Sequence, residues 1–390
     1  MKSFQVIHTI TSPYRIHMFN IMDEILKSRG VEFHVHFMSN NTSHRPNDWS
    51  HSSQKIYFNH SFWPDIGPNL YGNKWHANPG LIKHILKTNI DYLLVGGPWA
   101  SLTTILCSFS GKVKTSKIAW LEGNSETVNK NQARTFPIKR LVLKQFDKWA
   151  VPGFRGEEYI KLILGNVFSS QNTLILPNII DETKFDLNAI SDNLTDCLEN
   201  SNKIVFPKTV KTALIPARLI PEKGIIEFFQ HINPEMINGW QIMIVGEGPL
   251  KKDILELLNK QSLNEQVKLI APVDYKLMPV LYKQSDLFII PSVKDNNPLT
   301  LIEAMHSRLP VLASTKIGNY PEAVQHSING WGLNPFDSES IRKSTTLAFG
   351  SSKEKLKSMG KKSKNIAISN WTSRKAIANF LDAAMQANHL

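Results

Sequence analysis

Apolar positions along this chain fall into short, β-branched runs separated by amphipathic stretches. Phe4 to Ile10 is the first such run; a tight polar loop, Thr11-Ser-Pro-Tyr-Arg15, follows, then helical spacing through about Lys27. Val31 to Phe37 alternates strictly and predicts a strand with His34 and His36 on one face. Asp91–Gly97, Ser116–Leu121, Lys148–Gly153 and 172–178 continue the series. In the second half, 212–219, 241–245, 267–273, 286–291 and 309–313 read as strands, with a helix over 299–307. Strand, loop, helix, strand repeated in this way predicts doubly wound parallel sheets, whose ligands sit beyond the carboxyl ends of the strands.

Two stretches break the rhythm. Residues 39–80 are rich in Asn, Ser, His, Trp and Pro and read as one long irregular region. Its aromatics Trp49, Trp63, Tyr71 and Trp75 admit two readings, an acceptor-facing surface or a loop packed on itself. Residues 187–210 are polar and aperiodic, as expected of a linker or surface insertion. His34 and His36 lack a third ligand at suitable spacing, which favours structural histidines over a metal site.

At 390 residues the chain exceeds the usual size of one domain, so two are expected. No apolar run is long enough to span a bilayer, and Met1 to His8 lacks a signal-peptide core. Cys107 and Cys197 make no disulfide framework. A reduced, cytoplasmic setting is expected, with the glycosylation-like triplets at Asn40, Asn59 and Asn193 fortuitous. The net charge of +12 is concentrated early, since residues 1–175 hold 20 Lys and Arg against 11 Asp and Glu. That imbalance suits an anionic partner such as membrane lipid or a phosphorylated acceptor, or serves solubility alone. No nucleic-acid motif accompanies it.

Candidate chemistry clusters in the second half. The loop Lys294 to Thr300 is polar and opens a helix, whose unpaired amides favour phosphate. Asp295 and Glu303 stand eight positions apart across it. Upstream, Arg218 and Lys223 flank a strand–helix junction, a planar fork and a point charge suited to a diphosphate. Between them, Gly246-Glu247-Gly248 ends another strand in a turn that lets backbone approach a ligand.

This ordered set resembles retaining GT-B glycosyltransferases of family 4, whose donor motif is usually two glutamates separated by seven residues. Asp295 takes the place of the first, one methylene shorter. The segment from Ala213 to Gly224 is similar to the family string GRLxxxKG, with Ala217 for its first Gly; SPYRIHMFN is similar to the family's opening loop, with His17 for the commoner Pro. The resemblance implies a GT-B fold: two doubly wound, Rossmann-like domains facing a cleft. Residues 1–180 would bind the acceptor, joined by a crossing helix at 369–390, and residues 181–368 the donor. It implies that Arg218 and Lys223 hold the donor diphosphate, that Glu303 holds the ribose hydroxyls, and that Asp295 lies near the sugar. Gly246 and Glu247 would border the nucleotide, Val273 the base, and the backbone of Asn296, Asn297, Pro298, Leu299 and Thr300 the phosphates and sugar.

On the acceptor side, Ser12, Tyr14 and Arg15 fall in the opening loop. Arg15 serves either ligand binding or a salt bridge to a neighbouring helix. Glu122 occupies the place where relatives carry His before Gly, a candidate for acceptor contact or proton handling. The expected activity is transfer of a sugar from a UDP- or GDP-linked donor to a glycan or lipid-linked glycan, with retention and with neither cofactor nor metal. The setting suggested is bacterial-type surface polysaccharide synthesis, possible at the inner membrane face. Two rivals stand beside it: a sugar-nucleotide 2-epimerase, and a non-catalytic basic module for membranes or other anions.

Overall fold

The computed structural model describes residues 1–40, 55–70, 73–110, 114–187, 190 and 209–386. Trp49, Tyr71, Asn193, Cys197 and most of the 187–210 stretch lie outside the described residues. The chain divides into two compact units, Met1–Ile180 with Ser373–Leu390, and Asp181–Thr372.

The first unit is built on seven strands: β1 (Lys2–His8), β2 (Val31–Phe37), β3 (Asn59–Phe62), β6 (Tyr92–Gly96), β7 (Ser116–Trp120), β8 (Lys148–Val151) and β9 (Thr173–Ile175). Between β3 and β6 lies a separate antiparallel ribbon, β4 (Asn69–Leu70) and β5 (Asn73–Lys74). The sheet order is β3-β2-β1-β6-β7-β8-β9, every pairing parallel. Alternate residues feed two cores: Phe4, Val6, Leu94 and Ile118 on one face, Ile7, Leu93, Val95 and Ala119 on the other. A sheet covered on both faces needs nearly continuous apolar strands, which is why these runs look unbroken in sequence.

The second unit carries β10 (Lys211–Pro216), β11 (Trp240–Val245), β12 (Val267–Ile270), β13 (Leu287–Ile290), β14 (Val311–Ser314) and β15 (Gly330–Leu333). Their order is β12-β11-β10-β13-β14-β15, again all parallel. Both units therefore reverse strand order beside their first strand, at β1/β6 and at β10/β13. Those are the switch points where a doubly wound sheet opens a crevice.

Two expectations need correction. The 39–80 region is not one irregular loop, because β3 adds a parallel edge strand and the β4–β5 ribbon follows it. Asn78 then ties its end down, donating to the carbonyls of Met38 and Pro64. Trp63 packs inward on His36 and His84, which settles one of the four aromatics as self-packed, whereas Trp75 is exposed. The crossing begins at Ser373 and not at 369, since the helix Lys353–Trp371 runs on within the second unit until Thr372 turns extended. The last helix, Ser373–Met385, buries Ile377, Phe380, Leu381 and Ala384 in the first unit's core.

His34 Nε2 lies 2.9 Å from Ser61 Oγ. His36 Nε2 pairs with Gln5 Oε1 at 2.9 Å while Nδ1 accepts from Trp63 Nε1 at 3.1 Å, so both ring nitrogens are used. Burial and the neighbouring His34 and His84 push its pKa down to about 3.

Candidate active site

At the second unit's switch point, two loops leave adjacent strands and are laced together. The loop after β10 passes through Arg218 and a turn at Pro221–Lys223 to Gly224, and the loop after β13 runs from Pro291 to Pro298. Lys294 N–H donates to Glu222 C=O at 3.1 Å. Gly224 is left-handed (φ 64°), and a Cβ there would stand 2.3 Å from the Pro291 carbonyl oxygen. Only glycine satisfies both the dihedral and the contact. This close approach brings Lys223 Nζ to 2.5 Å from Asp295 Oδ2. Two residues 72 apart in sequence thus form one ion pair, partly shielded from water.

The floor of the second loop is pinned from the far side. Asp295 C=O accepts from Gly318 N–H at 3.1 Å, and Asn319 Nδ2 donates to Pro298 C=O at 3.2 Å. Asn296 is exposed, Asn297, Leu299 and Thr300 are half-buried, and Pro298 is the buried N-cap of the helix Leu299–His306. Ser292, which the sequence reading missed, is buried here with a hydroxyl that makes no hydrogen bond among the described residues. Arg218 is exposed on the first loop. Gly246 presses on that loop too, since a Cβ there would meet Ala217 O at 1.9 Å. Leu219 N–H donates to Glu247 C=O at 2.9 Å, while the Glu247 side chain is exposed and pairs with Lys251.

Glu303 is buried one turn into its helix. Its Oε2 accepts from the Tyr282 hydroxyl at 2.7 Å and its Oε1 from the Tyr275 hydroxyl at 3.0 Å. Burial pushes the carboxyl's pKa up, and the two phenols pull it back part of the way. Both phenols are in turn pushed up by burial and by the carboxylate. Phe185 stacks edge-on against both rings. The two tyrosines were not anticipated. Tyr275 does follow Val273 beyond the carboxyl end of β12, so its place in the strand order was the available signal.

At the first unit's switch point Arg15 lies in the first turn of the helix Pro13–Ser28, buried, and forms an ion pair with Glu122 from the loop after β7. Its guanidinium sits 4.3 Å from the Trp120 ring centroid and 5.1 Å from that of Tyr14. Burial lowers its pKa to about 10, which leaves it charged at neutral pH. A cation at a helix N-terminus opposes the helix dipole, so the Glu122 carboxylate and the aromatic faces offset that arrangement. Arg15 does form a salt bridge, but to Glu122 of a loop and not to a neighbouring helix, and Glu122 is itself one of the residues predicted for this side. Ser12 caps the same helix by position only; its hydroxyl is buried and makes no hydrogen bond among the described residues.

Two Rossmann-like α/β domains with parallel sheets of this order define the GT-B fold. Residues 197–366 match the family model of glycosyl transferases group 1. An exopolysaccharide phosphotransferase of Streptomyces coelicolor, SCO2592, is 29% identical over 146 residues, covering 36% of this chain and 15% of that protein. The amylovoran biosynthesis glycosyltransferase AmsD of Erwinia amylovora is 26% identical over 160 residues, 40% of this chain and 41% of the relative. The chain therefore spans less than half the length of these curated relatives. Across the whole chain, the crystal structure of Anabaena Alr3699/HepE in complex with UDP superposes with a TM-score of 0.72 at 15% identity, covering 98% of this chain and all of that one.

Proposed function

We propose that this protein is a glycosyltransferase that moves a sugar from a nucleotide-sugar donor to a hydroxyl of a glycan or lipid-linked glycan, with retention of configuration. The observation that carries the reading is the Lys223–Asp295 pair, held at 2.5 Å where two pinned loops meet at the β10/β13 switch point. A donor diphosphate entering there draws Lys223 from Asp295 and finds Arg218 on the same loop. Fixed cations stabilise the diphosphate as negative charge builds up on it, so no divalent metal or further cofactor is invoked. Ser292 and the first amides of the helix Leu299–His306 supply hydrogen bonds to the phosphates. The ribose hydroxyls go to Glu303, sharing or replacing the Tyr275 bond, and the base lies near Val273.

In the step itself the bond from the anomeric carbon to the phosphate oxygen breaks, and the acceptor oxygen bonds that carbon from the same face. The acceptor proton passes to an oxygen of the departing diphosphate. The acceptor is assigned to the first unit's switch point, where Ser12, Tyr14, Arg15 and Glu122 stand. The UDP in the Anabaena neighbour makes uridine the first base to try and guanosine the second. AmsD and a similar relative, the putative teichuronic acid biosynthesis glycosyltransferase TuaC of Bacillus subtilis, support a place in surface polysaccharide synthesis.

The test begins with thermal stability against UDP- and GDP-sugars, because a ligand of the folded state raises the midpoint with its concentration. One nucleotide sugar is expected to give a clear shift, and Lys223→Ala to abolish both shift and transfer while keeping the fold. A folded Lys223→Ala enzyme with full turnover would sink the assignment. Sugar isomerised without any acceptor would move the reading to an epimerase.

A further inference from the structure

Each oxygen of Glu303 already holds a phenol, and the two phenols stand in different surroundings. Tyr282 donates to Oε2 at 2.7 Å from the helix Met278–Lys283, and its ring is fully buried against Phe185 and Phe288. Tyr275 donates to Oε1 at 3.0 Å from a three-residue turn, Tyr275–Leu277, beyond the carboxyl end of β12. Asp274 holds that turn, its carboxylate accepting from Lys276 N–H at 2.8 Å. Tyr275 is 41% exposed, with the buried Phe185 ring edge-on at 6.3 Å, whereas Glu303 is only 3% exposed.

A ribose reaching for this carboxylate meets closed surface, so one of the covering groups has to give way. Withdrawing Tyr282 would open a cavity beside Phe185 and Phe288, a costly change in a packed core. Tyr275 already faces water on one side, and swinging it outward leaves no such hole. The exchange is also nearly balanced in chemistry. A phenol and a ribose hydroxyl are both neutral donors to the same ionised oxygen, so one charge-assisted bond replaces another. The apparent affinity for the nucleotide then scales with the fraction of molecules in which the phenol has left Oε1.

We propose that Tyr275 is a displaceable cap on Glu303, whose phenol yields Oε1 to a ribose hydroxyl of the nucleotide and so sets how much the ribose adds to binding. The proposal rests on the nucleotide-sugar reading of this site and deepens it by naming the residue that tunes ribose recognition. The full chain is titrated by calorimetry with UDP and GDP and with their 2′,3′-dideoxy forms. The parent is expected to prefer one ribonucleotide over its dideoxy form. Tyr275→Phe, which keeps the ring and removes the donor, is expected to bind that ribonucleotide about five- to tenfold tighter and the dideoxy form as before. Tyr282→Phe is expected to give no such gain, because its ring stays in the core, and melting curves confirm that each variant is folded. Unchanged or weaker ribonucleotide binding by Tyr275→Phe overturns the cap alone, since the phenol then shares the carboxylate with the ribose. An equal gain for the dideoxy form, or in Tyr282→Phe, overturns it as well, since a looser loop or the loss of any donor then explains the effect. A parent that binds neither nucleotide, or binds the ribo and dideoxy forms alike, removes Glu303 as the ribose site and the proposal with it.

Discussion

Glu303 shows how a single side chain trades stability for binding capacity. Its pKa is raised by burial above the ordinary 4.5, so the folded state binds the proton more tightly than the unfolded chain. The associated stability is full below the unfolded value and is lost as pH rises through the folded one. At neutral pH the ionised group is therefore a net burden that a polar isostere relieves. Glu303→Gln is expected to raise the melting midpoint at pH 7, with the gain shrinking as pH falls toward 4.5. The same variant should lose its response to the nucleotide sugar, because one acceptor oxygen becomes an amide donor. A lower midpoint at pH 7 would show that the two phenols already compensate the charge in full. Glu303 itself was singled out by the resemblance of the Asp295–Glu303 stretch to a family motif; Tyr275 and Tyr282 were not, because a hydroxyl aimed at a distant carboxylate leaves no periodic trace.

Among elements, the loop after β10 depends on Gly224 more than on any cation it carries. Its left-handed dihedral and the Pro291 carbonyl 2.3 Å from a would-be Cβ make any side chain strained twice. Gly224→Ala is expected to destabilise by roughly 2–3 kcal/mol, and to separate Lys223 from Asp295 as the two loops part. A calorimetric midpoint within a degree of the parent would contradict this. The sequence placed both loops correctly at strand ends, since a β-branched run followed by Lys-Gly or by a polar Pro-containing segment marks such ends. It missed β3 and β15 for a related reason. Asn59–Phe62 is half polar on an exposed edge, and Gly330–Leu333 holds two glycines, so neither presents an apolar run.

For the molecule as a whole, the return of the chain at Ser373 makes the first unit discontinuous. Phe380 is buried among strands whose residues lie more than 300 positions earlier, including Phe4 and Phe33. Phe380→Ala should cost about 3–5 kcal/mol. Hydrogen exchange would locate the effect, with protection lost in β1, β2 and β7 and retained in β10 to β14. Equal loss throughout would mean that the two units unfold as one.

The sequence by itself determined the alternation of strands and helices, the two-unit size, and the order of Arg218, Lys223, Asp295 and Glu303 along the second half. Local periodicity and turn chemistry suffice for that, because each reflects neighbours a few residues apart. Only the tertiary structure decided which strands lie side by side. Two sheets that reverse at β1/β6 and β10/β13 cannot be read from apolar runs, since parallel strands buried on both faces look alike wherever they pair. That reversal brings Lys223 to Asp295 across 72 residues and Arg15 to Glu122 across 107. Charge pairs of this kind depend on loop paths through space, so the sequence held the partners and the fold chose them.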